Sequence, residues 1–333
     1  MKRVKPVASI TVGPKRALTG GVVMDPDFIW TGGYPNKLVR LNRKDLSRSG
    51  SFPPLVRVRR VSASTVFGGF GECRAVRRSD GMPAWEAKSL YSWQLWSGSI
   101  VIPREAEVEL RRADSGEVFA SLPLQRRVAS FCAFGACDGV VVLRAESKEV
   151  FAVDLSSGRE LWCRDLFGSL HGEWSLPEQP YLLLDSTEGS GGLVSFYSTA
   201  SIAWSPRDGS IKWVRNIRGE GSTPPTVSGS RVFGVMDEFW ALDEATGKEL
   251  WRTPVPREFK LAMRPRPCVV YRNRLGIAFE SGQLAVLDTE SGEIVQYYKD
   301  RVPLWWPVEV DGRLLVGTGD GTILVFDESI WGL

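Results

Sequence analysis

The chain has 333 residues, 43% of them apolar, and a formal net charge of +3. It is long enough to bury a large core, and by length alone two domains would be expected. Its five cysteines, an odd and scattered set, match neither a disulfide framework nor a zinc-ligand pattern, so we expect reduced core residues.

The N-terminus carries a short apolar stretch, Val7 to Val12, behind the basic residues Lys2, Arg3 and Lys5. Gly13 and Pro14 end this stretch, which makes it too short for the apolar part of a signal peptide or for a membrane span. The expectation is a cytoplasmic protein without membrane insertion.

A hairpin signature then recurs along the chain. In its clearest copy, residues 239–251, an apolar strand ends at Asp243, Gly247 supplies the positive φ of a tight turn, and Trp251 opens the next strand. The strand-ending positions of the eight copies are 42, 77, 112, 154, 205, 243, 288 and 327, with spacings of 35, 35, 42, 51, 38, 45 and 39. A repeat of this length with all-β patterning predicts the blades of a propeller.

Each signature is preceded by room for two more strands, for example 223–228 and 231–236, which predicts four-stranded antiparallel blades. Only six residues follow Asp327, so the eighth blade needs a strand from elsewhere. We expect residues 6–12 to supply it, because an unpaired outer edge invites aggregation. The sequence thus predicts an all-β, single-domain, eight-bladed β-propeller over residues 1–333, with the ring closed by the N-terminal strand.

The motif Ala-x-Asp-x-x-Thr-Gly-x-x-x-Trp at residues 241–251 resembles the tryptophan-docking motif of PQQ-like (quinoprotein-type) eight-bladed propellers. The resemblance spans essentially the whole chain and extends to the architecture of the outer-membrane assembly lipoprotein, a non-enzymatic branch. It implies that the docking tryptophans stack on the neighbouring hairpin. These are Trp85, Trp162, Trp213 and Trp251.

The quinone-dependent dehydrogenases of this architecture place a disulfide between adjacent cysteines over their cofactor. This chain has no Cys-Cys pair. We therefore expect no cofactor, no metal and no catalytic residue, and favour a non-enzymatic protein, although fold likeness alone does not decide chemistry.

One candidate site follows from the resemblance. The connections that enter each innermost strand surround one mouth of the central channel, and loop residues on a rigid scaffold often bind ligands. The predicted ligand-binding residues are His171, Glu173, Trp174, Arg264, Arg266, Arg301, Trp305 and Trp306. The alternative is that the two tryptophans fill the channel or pack between blades and that the charges face water.

A second candidate is electrostatic. Residues 1–78 contain 16 basic and 4 acidic residues, net +12, which leaves net −9 for residues 79–333. Arg77 and Arg112 stand where intact copies have an aspartate that caps its own turn. We expect a basic face that contacts carboxylates or phosphates of an acidic protein or a nucleic acid. Its predicted residues are Arg43, Arg57, Arg59, Arg77, Arg78 and Arg112. The alternative is that these arginines pair with acids of adjacent blades.

The sequence therefore predicts a non-enzymatic interaction scaffold within a larger protein assembly, with one or more protein partners. Two alternatives stay open. One is a small-ligand-binding or catalytic propeller that uses the channel mouth, and the other is a nucleic-acid-associated subunit that uses the basic sector of blades one to three.

Overall fold

The computed structural model of the chain describes residues 2–12, 22–32, 38–52, 55, 60–69, 72–89, 93–129, 135–147, 149–165, 186–189, 192–197, 200–216, 225–235, 237–257, 259 and 268–333. In these residues every regular element is a β-strand except one short C-terminal 3₁₀ helix. The chain divides into two compact units, residues 1–86 with 251–333 and residues 87–250. The single domain expected from the repeat stays a prediction.

The N-terminal part of the first unit begins with two short strands and continues with two sets of four. These are β1 (Lys2–Arg3), β2 (Ala8–Thr11), β3 (Val22–Met24), β4 (Phe28–Thr31), β5 (Leu38–Asn42), β6 (Arg48–Phe52), β7 (Arg60–Val61), β8 (Thr65–Gly68), β9 (Glu72–Arg77) and β10 (Pro83–Lys88).

The next sixteen strands of the described chain continue this pattern. They are β11 (Gln94–Trp96), β12 (Ser99–Pro103), β13 (Glu107–Arg112), β14 (Val118–Pro123), β15 (Gly135–Cys137), β16 (Val140–Arg144), β17 (Val150–Asp154), β18 (Glu160–Arg164), β19 (Ser186–Gly189), β20 (Gly192–Tyr197), β21 (Ala200–Trp204), β22 (Ile211–Asn216), β23 (Thr226–Ser228), β24 (Arg231–Val235), β25 (Glu238–Asp243) and β26 (Glu249–Pro254).

The C-terminal part returns to the first unit. Its elements are β27 (Val269–Tyr271), β28 (Arg274–Ala278), β29 (Gln283–Asp288), β30 (Ile294–Lys299), β31 (Leu304–Val310), β32 (Arg313–Thr318), β33 (Thr322–Phe326) and the 3₁₀ helix Glu328–Trp331.

Consecutive strands form six four-stranded sheets in the described residues: β3–β6, β7–β10, β11–β14, β15–β18, β19–β22 and β23–β26. The N-terminal segment completes two more. β2 pairs antiparallel with β33 and so joins the sheet of β31–β33. β1 pairs in parallel with β30 at the outer edge of β27–β30. The sequence predicts a strand within residues 6–12, where the structure has β2. It does not predict β1, because two residues are too few to show a periodicity.

The core lies between adjacent sheets of each unit. In the first unit, Leu41 of β5 packs with Ile323 of β33. In the second unit, Val108 of β13 packs with Phe151 of β17. The middle strands are covered on both faces, so they are continuously apolar, as in the fully buried run Val140–Leu143. The outer strands are partly exposed, and they place the turns and edges where a partner could reach them.

Candidate functional site

In the intact copies of the repeat, the turn after the third strand is fixed by its own aspartate. In the turn after β17, Asp154 Oδ1 accepts hydrogen bonds from the backbone N–H groups of Ser156 and Ser157, each at 2.9 Å. Hydrogen bonds led by that from the Ser156 hydroxyl lower the pKa of Asp154 to about 2. Gly158 closes the turn with φ 70°, a conformation that L side chains rarely adopt.

The docking tryptophans join these turns to the preceding sheet. Trp162, Trp213 and Trp251 each donate an indole N–H to a backbone carbonyl, those of Pro206, Glu244 and Thr289, at 2.8, 2.7 and 2.8 Å. All three acceptors directly follow a strand-ending position of the repeat. The indole rings also cover the turn glycines Gly209, Gly247 and Gly292, where an added Cβ would collide with them. The docking predicted for these tryptophans is therefore seen in the structure.

Two junctions of the first unit use an arginine in place of the indole. Arg40 Nη1 donates to the carbonyl oxygen of Arg78 at 2.9 Å, and Arg313 Nη2 donates to that of Arg43 at 2.6 Å. Both acceptors again follow strand-ending positions, here 77 and 42. The Arg40 guanidinium also lies 4.5 Å from the centroid of the Phe28 ring. Part of the N-terminal excess of arginine thus holds neighbouring sheets together.

Arg43, a predicted basic-face residue, is engaged within the chain. Its Nε and Nη2 donate to the two carboxylate oxygens of Asp311 at 2.9 and 2.7 Å. Asp311 lies in the turn between β31 and β32, so this two-bond pair joins the first complete sheet of the chain to the last. The hydrogen bond with Asp311 raises the pKa of Arg43.

Arg78 takes part in a buried network. Its Nη2 lies 2.9 Å from Asp25 Oδ1, and the two side chains are 18% and 3% exposed. Asp25 also accepts from the Trp30 indole at 2.8 Å and from the backbone N–H groups of Asp27 and Phe28 at 2.8 and 2.9 Å. This carboxylate thereby anchors the β3–β4 turn to the β9–β10 turn, and Arg78 neutralises its charge.

The other described members of the basic face are more exposed. Arg77 pairs with Asp80 at 2.9 Å, with both side chains about half exposed. The Arg112 side chain is 62% exposed and has Glu117 at 3.6 Å. Arg57 and Arg59 lie outside the described residues.

Each described arginine of the basic face thus has an acidic partner in its own chain. Arg43 and Arg78 pair with acids of an adjacent sheet, as in the alternative that the sequence left open. Arg77 and Arg112 instead pair with acids of their own turn. Contact with a partner stays a prediction, for which Arg112 has the most exposed side chain of the four.

Only three of the predicted channel-mouth residues are described. Arg301 is exposed and follows β30, whereas Trp305 and Trp306 are half-buried in β31. The remaining five, His171, Glu173, Trp174, Arg264 and Arg266, lie outside the described residues. The structure therefore leaves the channel-mouth site as a prediction.

The backbone around the two tryptophans is irregular. The register of β31 against β32 shifts between Trp305 and Val308. Trp306 has φ 35°, which is uncommon for a bulky side chain. Sequence reasoning missed this bulge, although Pro307 lies in the strand and proline within a strand often marks a bulge.

A tyrosine–aspartate pair lies close to Arg301. The Tyr298 hydroxyl donates to Asp300 Oδ2, and the backbone N–H of Arg301 donates to Asp300 Oδ1 at 2.6 Å. Burial, followed by the hydrogen bond to Asp300, raises the pKa of Tyr298. This tyrosine is therefore a neutral hydrogen-bond donor near neutral pH.

Among the described residues, no group of three or more histidine, cysteine, aspartate or glutamate side chains is arranged to hold a metal ion. The described part of the chain also has no helix of the length and apolarity that a membrane crossing requires.

Comparison with known proteins identifies the fold. Residues 186–303 match the family described as outer membrane protein assembly factor BamB. No curated protein matches the chain. The crystal structure of BamB from Moraxella catarrhalis is 15% identical, with 96% of this chain and 98% of that chain covered and a TM-score of 0.68.

Other propellers are similarly close in structure. Sqt1 from Saccharomyces cerevisiae is 11% identical, with 98% of this chain and 99% of that chain covered and a TM-score of 0.70. The C-terminal WD40 domain of Sif2 is 12% identical, with 97% and 98% covered and a TM-score of 0.66. The chain therefore has a PQQ-like β-propeller fold that resembles BamB, as the repeat predicts.

Proposed function

We propose that the chain is a non-enzymatic interaction scaffold within a larger protein assembly. The observation that carries this proposal is its likeness, over nearly the full length of both chains, to a BamB structure, whose family is described as an outer membrane protein assembly factor. The partners of this chain are proposed to be proteins, because the chain shares the architecture of such a factor and exposes its turns and outer strands to solvent.

The proposal includes an eight-bladed ring. Eight sheets, four in each unit, are present in the described residues, and their number equals the number of repeat copies in the sequence. The pairing of β2 with β33 supports a ring that the N-terminal strand closes. In such a ring each sheet is held on both sides, which gives a rigid frame for exposed loops.

The alternatives have less support. A nucleic-acid-binding role would use free cations, whereas Arg43 and Arg78 are engaged with acids and carbonyls of their own chain. A small-ligand site at the channel mouth depends mostly on residues outside the described ranges. Cytoplasmic localisation stays a prediction from the short N-terminal apolar stretch.

Affinity purification from native cells tests the scaffold. The tagged full-length chain, isolated at physiological salt, is expected to retain at least one other protein in a fixed molar ratio through gel filtration. The matched control is the same chain purified after unfolding in urea, which should retain none. Recovery of the folded chain alone, or with a bound redox cofactor and turnover of a substrate, would contradict the proposal.

A further inference from the structure

The outer strand β14 differs from the outer strands of the other sheets. Its six residues, VFASLP, carry no charge. The outer strands β6, β10, β18, β22, β26 and β30 each contain at least one charged residue. The last sheet ends in β2, whose exposed residues are Ala8, Ser9 and Thr11, all small. Charges on an edge strand discourage pairing with other chains, so β14 lacks the protection that the other long edges have.

β14 also exposes large apolar side chains. Val118 is 43% exposed and Phe119 is 48% exposed. The sequence repeat places Phe119 near the docking position, but the register assigns that position to Ala120, which faces Leu110 as Trp162 faces Ala152. Phe119 is therefore not a docking residue.

In this sheet another residue makes the docking contact with the next turn glycine. Leu122 packs against Gly158 of the next turn, at 3.3 Å from the position that a Cβ would take. Among the described residues, Phe119 is thereby left half exposed and outside the core that joins this sheet to the next.

An exposed cation accompanies the exposed ring. The Arg112 guanidinium lies 5.8 Å from the centroid of the Phe119 ring, and its side chain is 62% exposed. Glu117, its acidic neighbour at 3.6 Å, is 69% exposed, so this pair is weak and replaceable. Aromatic residues and arginine are the types enriched at the centres of protein interfaces.

The edge itself is open to pairing. Within the described residues β14 pairs with β13 alone, so alternate N–H and C=O groups of β14 point away from its sheet. The chain shows at another edge that such a position accepts a strand: β1 pairs in parallel with β30, the outer strand of its sheet. The backbone geometry needed for an added strand therefore exists in this fold.

We propose that the outer edge of β14 binds an extended segment of a protein partner as a fifth strand. The segment supplies backbone hydrogen bonds to β14, an apolar side chain that covers Val118 and Phe119, and a carboxylate that pairs with Arg112 in place of Glu117. This inference rests on the proposed scaffold function and names the surface and the partner class.

A second copy of the chain fits this edge less well. Two β14 strands related by a two-fold axis would cover each other's apolar residues, but the sequence VFASLP is uncharged, and Glu117, the acid that precedes it, already neighbours Arg112 in its own copy. Pro123 would also bring a residue without an N–H group into the new ladder. A partner segment with an acid beside its apolar residues would both cover the Phe119 ring and pair with Arg112.

The test uses a displayed library of random twelve-residue peptides selected on the full-length chain. We expect enriched peptides to contain alternating apolar residues with a nearby Asp or Glu, and to protect the amides of 118–123 from hydrogen exchange. Binding should weaken about tenfold or more in Phe119→Lys and in Arg112→Glu, a factor equivalent to ~1.4 kcal/mol. Unchanged circular dichroism would show that both variants fold.

The matched control is Leu250→Lys. Leu250 lies three residues after its turn glycine, as Phe119 does, and is 42% exposed on β26, an outer strand that already contains Glu249 and Arg252. This variant should bind the peptides as the wild type does.

Three results would overturn the proposal: failure of any peptide family to enrich, equal binding by Phe119→Lys, or self-association of the wild type that Phe119→Lys abolishes. A native partner that binds Phe119→Lys as well as the wild type would show that β14 is not the binding surface, while the proposed scaffold function would stand. Peptide binding without any native partner would refute the scaffold alone.

Discussion

At the residue scale, one hydrogen bond recurs with different donors. The carbonyl that follows a strand-ending position accepts from an indole at Trp162, Trp213 and Trp251, and from a guanidinium at Arg40 and Arg313. Its geometry is set by the turn and not by the donor, so the donor can vary between sheets.

Two glycines of one sheet allow the contribution of this docking to the free energy of unfolding to be measured separately. Gly247 and Gly229 have φ 64° and 59°, but a Cβ on Gly247 would lie 2.5 Å from the Trp213 ring, whereas one on Gly229 meets nothing within 4 Å. Alanine at either site incurs the left-handed backbone cost of ~1–2 kcal/mol. Gly247→Ala should lose a further ~1–3 kcal/mol through overpacking, measured as the free energy of unfolding in urea. Equal losses at both glycines would show that Trp213 does not dock tightly.

Arg78 and Arg77 are adjacent in sequence but should differ sharply in their effect on stability. Arg78→Ala leaves Asp25, whose side chain is 3% exposed, without its cation, and should cost roughly 3 kcal/mol, the low end for a broken buried pair. Arg77→Ala removes an exposed pair and should change the melting temperature little. If the two variants have the same melting temperature, the Asp25 network does not stabilise the fold.

At the element scale, the N-terminal segment is held mainly by its backbone. In β1 and β2 every side chain is exposed except that of Ile10, and Val12 is the one buried residue of 2–12. The backbone N–H groups of Val4, Val7 and Val12 donate to Tyr297, Val325 and Gly321 at 2.8–2.9 Å. Pairing, more than packing, keeps this segment in place.

Two truncations separate the roles of the N-terminal strands. Deletion of residues 2–5 removes β1 alone and should leave the melting temperature nearly unchanged. Deletion of residues 2–12 also exposes the edge of β33 and should lower both the melting temperature and the solubility. Differential scanning calorimetry and light scattering would check this. If the chain with the longer deletion melts at the same temperature as the full-length chain, β2 does not close the ring.

The sequence predicted the elements that follow the repeat and missed those that depart from it. Trp162, Trp213 and Trp251, each four residues after a turn glycine, dock as expected because their motif is local. Docking by Trp85 stays a prediction. The donor Arg40 occupies the alanine position of a degenerate copy, and Arg313 lies outside the motif. Both are recognisable as donors only once neighbouring sheets are placed side by side.

The C-terminal helix was missed for a similar reason. Trp331 is fully buried, and its indole donates to the Gly312 carbonyl at 2.7 Å. A six-residue tail carries too little pattern to predict a helix, and only the tertiary contacts reveal its role.

At the scale of the whole molecule, the turn aspartates should govern acid stability. Hydrogen bonds within the turns lower the pKa values of Asp154, Asp243 and Asp208, that of Asp154 to about 2. A carboxyl whose pKa is lowered by folding contributes stability above its unfolded value, near 4, and loses it as the pH falls through the folded value. The melting temperature should therefore drop between about pH 4 and pH 2.

The matched variant for this prediction is Asp154→Asn, which cannot titrate. Its melting temperature should be lower than that of the wild type at pH 7, and the difference should shrink as the pH approaches 2. A difference that does not vary with pH would show that the Asp154 turn does not bind its charge preferentially.

The mass of the native particle tests the central claim, that the chain is a scaffold within a larger assembly. The tagged chain, purified in one step from native cells at physiological salt, would be measured by native mass spectrometry. The account predicts a defined particle heavier than the 36.9 kDa of the chain, with the excess made up by at least one other protein. A particle of 36.9 kDa, or a multiple formed by this chain alone, would contradict it.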